Sequence, residues 1–171
     1  VKMLRGVVHD PTTRFMDGVA GHAGLFTTTA DLARFCRMIL GGGQLDGVRI
    51  LSAATVAEMT RVQNDGSDRR GLGWDIDSRF SGPRGRWFPA GASFGHTGFT
   101  GTSVWIDPTA RSFVIFFSNR VHPEGKGDTS ALRRALGTLA AEAMGRDAGV
   151  VLNGIDVLVR EEFTRLRGLR I

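Results

Sequence analysis

The chain is 171 residues long, enough to bury the core of one domain and too short for two large ones. Hydrophobic residues at 42% and charged residues at 23% exclude a disordered chain, and no apolar run approaches the roughly 18–20 residues that a bilayer span requires. The net charge is +5, but the basic residues, all arginines except Lys2 and Lys126, are scattered and interleaved with Asp and Glu. This pattern reads as a solvated basic surface, not a nucleic-acid stripe.

Val1–Phe26 is Gly-rich and reads as irregular; it contains His9-Asp10-Pro11 and the run Gly18-Val19-Ala20-Gly21-His22-Ala23-Gly24. Val1 is not Met, and no charged-then-apolar leader follows it. His9-Asp10-Pro11 is either a purely structural turn or one in which Asp10 orients the imidazole for a function. His22, inside its glycines, is expected to be held by backbone hydrogen bonds in a tight loop.

A helix follows. Thr28 or Thr29 can cap it, Asp31 stands in its first turn, and Gly41-Gly42-Gly43 ends it. Leu32, Phe35, Cys36, Ile39 and Leu40 recur at helical spacing and predict one buried stripe. Cys36 lies on that stripe and reads as a structural thiol. As the lone cysteine it also rules out an internal disulfide and a cysteine-based zinc site. Asp46-Gly47 marks a turn, and Ser52 can cap a short helix carrying Val56 and Met59. Gln63–Gly71 reads as a polar loop, Leu72, Trp74 and Ile76 alternate as a strand, and Ser78–Ala92 reads as a second loop.

The strongest β signal is Thr102–Ser118. Val104-Trp105-Ile106 and Phe113-Val114-Ile115-Phe116-Phe117 predict two antiparallel strands joined by the turn Asp107-Pro108-Thr109-Ala110. The second strand is apolar on both faces, so each side of the sheet must be covered. Asp128 is placed to cap a covering helix whose Leu132, Ala135, Leu136, Leu139, Ala140 and Ala143 form one apolar face, with Gly145 ending it. The order of elements predicts an α+β fold, an antiparallel sheet flanked by helices. Leu169 and Ile171 look like the start of a strand that continues beyond residue 171.

Few constellations here carry chemistry. Gly91-Ala92-Ser93-Phe94-Gly95 matches G-x-S-x-G, yet a nucleophile elbow needs a buried strand before its serine and a helix directly after it. Pro89 precedes this match and a Gly-rich, strand-like stretch follows, so it reads as a chance match. The histidines His9, His22, His96 and His122 show no metal-ligand spacing, and neither a metal nor a cofactor is expected. His96-Thr97-Gly98 combines an imidazole, a hydroxyl and a glycine that admits close approach to the backbone, just before a strong strand. Spacing alone leaves that histidine either functional or a satisfied strand-end residue.

The stretches G-V-A-G-H-A-G-L-F-T-T-T-A-D-L-A-R-F-C-R-M-I-L-G-G-G, G-V-R-I-L-S-A-A-T-V-A-E-M, G-L-G-W, F-G-H-T-G-F-T-G-T-S-V-W-I-D-P and F-V-I-F-F-S-N-R together resemble the carboxyl-terminal part of the serine β-lactamase and penicillin-binding family, in its β-lactamase-related, esterase-like branch. The resemblance implies residues 1–147 as the back of one such domain. It places His96-Thr97-Gly98 where the family carries Lys-Thr-Gly or His-Thr-Gly on the strand lining the active site. His96 and Thr97 would then be catalytic, and His96, Thr97, Gly98 and Phe99 substrate-binding. His96 would organise the proton network, Thr97 would hydrogen-bond an anionic substrate group, and the Phe99 N–H would give one oxyanion-hole donor. Histidine in place of lysine leans toward peptidase or esterase chemistry.

The family's S-x-x-K and Tyr-x-Asn motifs do not occur: Lys2 has no residue three before it, Lys126 has Pro123 there, and the chain has no tyrosine. The expectation is therefore a fragment that is inactive alone and is partnered by the missing amino-terminal half of its own domain. Its implied substrate is a small molecule or a peptidoglycan-derived compound, and its implied location is extracytoplasmic. A non-catalytic peptidoglycan-binding module on the same fold is the alternative. Residues 148–171 read as a linker and a truncated second domain; V-L-N-G-I-D-V-L and F-T-R-L-R-G-L-R-I resemble the opening of the exo-β-N-acetylmuramidase family.

Overall fold

In the computed structural model, residues 4–122 and 124–144 are described. Capping chemistry sets where the first helices begin. Asp10 opens α1 (Pro11–Phe15) by accepting from the Thr13 N–H at 2.7 Å, with proline pre-set at the helix start. The segment read as irregular thus holds one helical turn. Thr28 caps α2 (Thr29–Leu40): its Oγ1 accepts from the Asp31 N–H at 3.1 Å and donates to the Asp31 carboxylate at 2.8 Å.

Strands β1 (Gln44–Leu45) and β2 (Val48–Arg49) form a hairpin, with Asp46 and Gly47 both at positive φ, as a two-residue turn of this hand requires. Ser52 then caps α3 (Ala53–Thr60). Strands β3 (Arg69–Arg70), β4 (Asp75–Asp77), β5 (Phe94–Thr97), β6 (Ser103–Asp107) and β7 (Ser112–Phe116) make a five-stranded sheet in chain order, each antiparallel to the next. The helix α4 (Ser130–Met144) follows, and Asp128 Oδ1 accepts from the Ser130 N–H at its start.

The β6–β7 ladder divides the core. Ile106 pairs with Phe113, and both face Cys36, Met38 and Ile39 of α2, Val56 of α3, and Trp74, Ile76 and Phe94. Trp105 pairs with Val114, and both face Ala140 and Met144 of α4 and Phe88. Successive side chains point to opposite faces, so the apolar run of β7 is covered on both sides, as its composition demands. The turn between these strands is held by Asp107, whose Oδ1 accepts from the Thr109 and Ala110 N–H groups.

Several local expectations change. On α2 the buried residues are Cys36, Met38 and Ile39, while Phe35 is exposed; its ring lies at the rim of the contact, stacked on Trp74 at 6.2 Å. Leu72 is exposed and precedes the strand, which starts at Asp75. The two predicted loops each contain a short element: β3, and a 3₁₀ turn at Gly82–Arg84 carrying Pro83. The buried face of α4 is Arg133, Leu136, Gly137, Ala140 and Met144, and Ala143 is exposed. Gly137 is the pivot of that rotation. A Cβ there would overlap the Pro83 carbonyl, so the missing side chain lets α4 settle directly on the 3₁₀ turn. The expected stop at Gly145 and the tail assigned to a second domain lie outside the described residues.

Candidate active site

β5 is the central strand of the sheet. Its pleat sends Phe94 and His96 to one face and Gly95 and Thr97 to the other. Phe94 is buried in the α2–α3 core, whereas His96, two residues on and paired with Val104, is exposed. β4 reaches β5 at a single register pair, Asp75 with Gly95. The stretch from His96 onward therefore keeps its β6 ladder on one side and has no β4 partner on the other.

His96 Nδ1 lies 2.9 Å from the Thr97 carbonyl oxygen. A carbonyl only accepts, so Nδ1 is the donor in this contact, and Nε2 is the ring nitrogen left to face a substrate.

After Thr97 the chain turns through Gly98-Phe99-Thr100-Gly101 before entering β6. The Gly98 N–H donates to the Thr102 carbonyl at 2.7 Å, and the Gly101 N–H donates to the Gly98 carbonyl at 3.1 Å. All four carbonyls of this turn accept hydrogen bonds from groups beneath it. Gly98 O accepts from Arg133 Nη2 at 2.7 Å, and Phe99 O from Arg120 Nε at 2.5 Å. Thr100 O accepts from the Arg120 N–H at 2.8 Å. Gly101 O accepts from Ser118 Oγ at 2.7 Å and Arg133 Nε at 3.1 Å. The N–H groups of Phe99 and Thr100 have no acceptor among the described residues. The turn thus has every carbonyl engaged and leaves two adjacent backbone donors available, an arrangement suited to an anionic oxygen.

Charge reinforces this. The Arg120 guanidinium lies over the Phe99 ring, 4.3 Å from its centroid, and also donates to the Gly127 carbonyl at 2.9 Å. Arg133 is buried, and burial first, then the neighbouring Arg120, lowers its pKa, while Asp128 opposes the shift. Asp128 is itself held below its usual carboxylate range by hydrogen bonds from Ser130, with Arg120 and Arg133 adding attraction. Two guanidiniums and one carboxylate leave a net positive charge beneath the turn.

The four residues singled out in the sequence, His96, Thr97, Gly98 and Phe99, form one continuous strand end and turn. His9 joins them: its ring stacks on Phe99 with centroids 5.9 Å apart. Asp10, in contrast, does not orient His9. It pairs with His22, whose Nε2 lies 3.0 Å from Asp10 Oδ1 and 3.2 Å from Thr13 Oγ1. His22 is therefore held by side chains and not by the backbone of its loop, because the α1 turn brings the Asp10 and Thr13 side chains together. Ser93 of the G-x-S-x-G match is fully buried and hydrogen-bonded at both ends.

Arg120 and Arg133 are not legible as site residues in the sequence. The one available signal is Arg133, a charge at helical spacing among the apolar residues Leu136 and Ala140.

Residues 2–139 match the family model described as Beta-lactamase. Putative D-alanyl-D-alanine carboxypeptidases of Salmonella paratyphi B and Salmonella newport are 37% identical over 121 residues, which is 70% of this chain and 28% of each relative. The chain thus spans little more than a quarter of the length of these curated relatives. A β-lactamase crystal structure from Mycobacterium bovis is 31% identical, with a TM-score of 0.41, over 52% of this chain and 35% of that one.

Proposed function

This chain belongs to the Beta-lactamase family, and from that premise we propose that it forms the substrate-side part of a serine acyl hydrolase of the carboxypeptidase or esterase type. In this reading the substrate is a peptidoglycan-derived D-amino-acid peptide, an ester or a β-lactam, and the reaction runs through an acyl-serine. The observation that carries the reading is the turn after His96-Thr97, where every carbonyl is engaged and the Phe99 N–H is left to donate. His96 Nε2 takes part in proton transfer, Thr97 binds the substrate's anionic group, and Phe99 N–H stabilises the tetrahedral oxyanion.

Neither S-x-x-K nor Tyr-x-Asn occurs in these residues, and an alkoxide nucleophile needs such a neighbouring base. In this reading the nucleophile is supplied by chain outside the 171 residues. The names of the Salmonella relatives support peptidoglycan-type substrates and, with them, an extracytoplasmic location. Among the described residues no helix is long and apolar enough to cross a membrane. Residues 148–171 begin a second, exo-β-N-acetylmuramidase-like domain in the same reading, and two activities on one cell-wall polymer make a coherent pairing.

Fluorescent penicillin labelling tests the proposal. The full-length protein is expected to be labelled covalently and to hydrolyse a chromogenic cephalosporin or a short ester, while the 171-residue chain alone is not labelled. Binding of the full-length protein to peptidoglycan with no labelling and no hydrolysis would overturn it in favour of a non-catalytic binding module.

A further inference from the structure

The Gly98–Phe99 peptide is held from one side only, by its carbonyl. In a planar trans peptide the C=O and the following N–H point in opposite directions. Whatever fixes the Gly98 oxygen therefore aims the Phe99 N–H. That oxygen accepts from the Arg133 Nη2 at 2.7 Å and from the Gly101 N–H at 3.1 Å. Arg133 is buried on α4, and its Nε simultaneously donates to the Gly101 carbonyl at 3.1 Å. One planar guanidinium thus spans both ends of the turn, a fork geometry that lysine cannot reproduce. A charged donor on the carbonyl also polarises the amide and strengthens its N–H as a donor.

We infer that Arg133, although it touches no reacting atom, is a positioning residue that aims and strengthens the Phe99 N–H as an oxyanion donor. This rests on the hydrolase reading above. Arg120 serves the next peptide in the same way, because its Nε holds the Phe99 carbonyl at 2.5 Å and so directs the Thr100 N–H. The two arginines come from different elements, one from the segment after β7 and one from α4. The turn is thereby locked to the frame of the sheet and its covering helix.

The sequence supplies a selective probe. Gly98-Phe99 is the only Gly-Phe step in these residues, so ¹³C-carbonyl glycine combined with ¹⁵N phenylalanine marks this peptide in the full-length protein, and loss of the signal in Phe99→Leu assigns it. In Arg133→Met the marked resonance is expected to move, kcat to fall about tenfold to a hundredfold, and KM to change little. Arg133→Lys is expected to recover part of both effects, which also covers the case in which Arg133→Met does not fold. A marked resonance that stays in place in a folded variant overturns the inference, whatever the activity. A resonance that moves while kcat is unchanged also overturns it. A wild-type protein with no hydrolytic activity overturns the hydrolase reading instead, and is told apart because the resonance test needs no turnover.

Discussion

The indole N–H of Trp105 donates to the Ser93 hydroxyl at 2.9 Å, and Ser93 Oγ in turn donates to the Pro89 carbonyl at 2.7 Å. Trp105 and Ser93 are both fully buried. The hydroxyl therefore spends its proton and its accepting lone pair on structure, and no catalytic base lies in that relay. Ser93→Ala is expected to leave a buried indole N–H without a partner and to cost about 1–3 kcal/mol. It should leave penicillin labelling of the full-length protein intact. Urea unfolding midpoints and gel fluorescence measure the two effects separately, and loss of labelling in a folded Ser93→Ala protein would contradict this assignment.

Gly95 is the neighbour that lets Trp105 lie flat on β5. A Cβ at Gly95 would overlap both the Trp105 ring and the Val104 carbonyl. Neither can yield cheaply, since the indole is packed against Val114 and α4 and the carbonyl belongs to the β5–β6 ladder. Gly95→Ala is expected to destabilise by about 1–3 kcal/mol through overpacking. Because His96 follows directly, kcat should fall as well. Paired measurements of urea midpoint and turnover check this, and an alanine variant as stable as wild type would refute the packing account.

The fold was legible where hydrophobic period and capping chemistry coincide, and the site was legible only in part. Thr28 and Ser52 cap the helices they precede, Asp46-Gly47 makes its hairpin turn, and the β6–β7 pair lies where its two apolar runs and the turn between them put it. Phe35 and Met38 exchanged roles because a helix stripe names a broad face, while the sheet covers only part of it. The contiguous residue types of His96-Thr97-Gly98 left a functional and a structural reading open, and it was the family resemblance that singled out these residues and Phe99. Arg120 and Arg133 did not stand out, because their function is to hold carbonyls more than twenty residues away in sequence. A backbone acceptor leaves no mark in the amino-acid code. His22 was misread for a different reason: its partner is a side chain, the Asp10 carboxylate, but it lies 12 residues away and reaches the imidazole only through the α1 turn.

Cys36 is fully buried in the α2 core, and burial pushes its thiol pKa up to about 12 from 9.0. The thiolate is the reactive form, so the folded protein is expected to resist iodoacetamide at about pH 8, below the ordinary thiol range, and to react fully once denatured. A raised folded value also means that the native state holds the proton more tightly than the unfolded chain. The corresponding stability is present below pH 9.0 and is lost as pH rises toward about 12. Cys36→Ala should flatten that alkaline decline in unfolding midpoint. Rapid alkylation of the native protein would show that the core at α2 opens readily.

His96 is the residue on which proton transfer and simple hydrogen bonding can be told apart. Its Nδ1 is committed as a donor to the Thr97 carbonyl at 2.9 Å, so any proton exchanged with substrate or nucleophile passes through Nε2. Gln can place an amide near the Nε2 position, but it cannot take up a proton at working pH. If Nε2 acts in proton transfer, His96→Gln and His96→Ala should both lower kcat of the full-length protein, by about 10²–10⁴-fold. If Nε2 only accepts or donates a hydrogen bond, Gln should restore most of the rate lost in Ala. Because His96 is exposed at the strand end, neither variant should move the urea midpoint appreciably. The comparison therefore reads chemistry and not folding, and recovery by Gln would remove the proton-transfer role from His96 while leaving the oxyanion turn of Gly98–Gly101 in place.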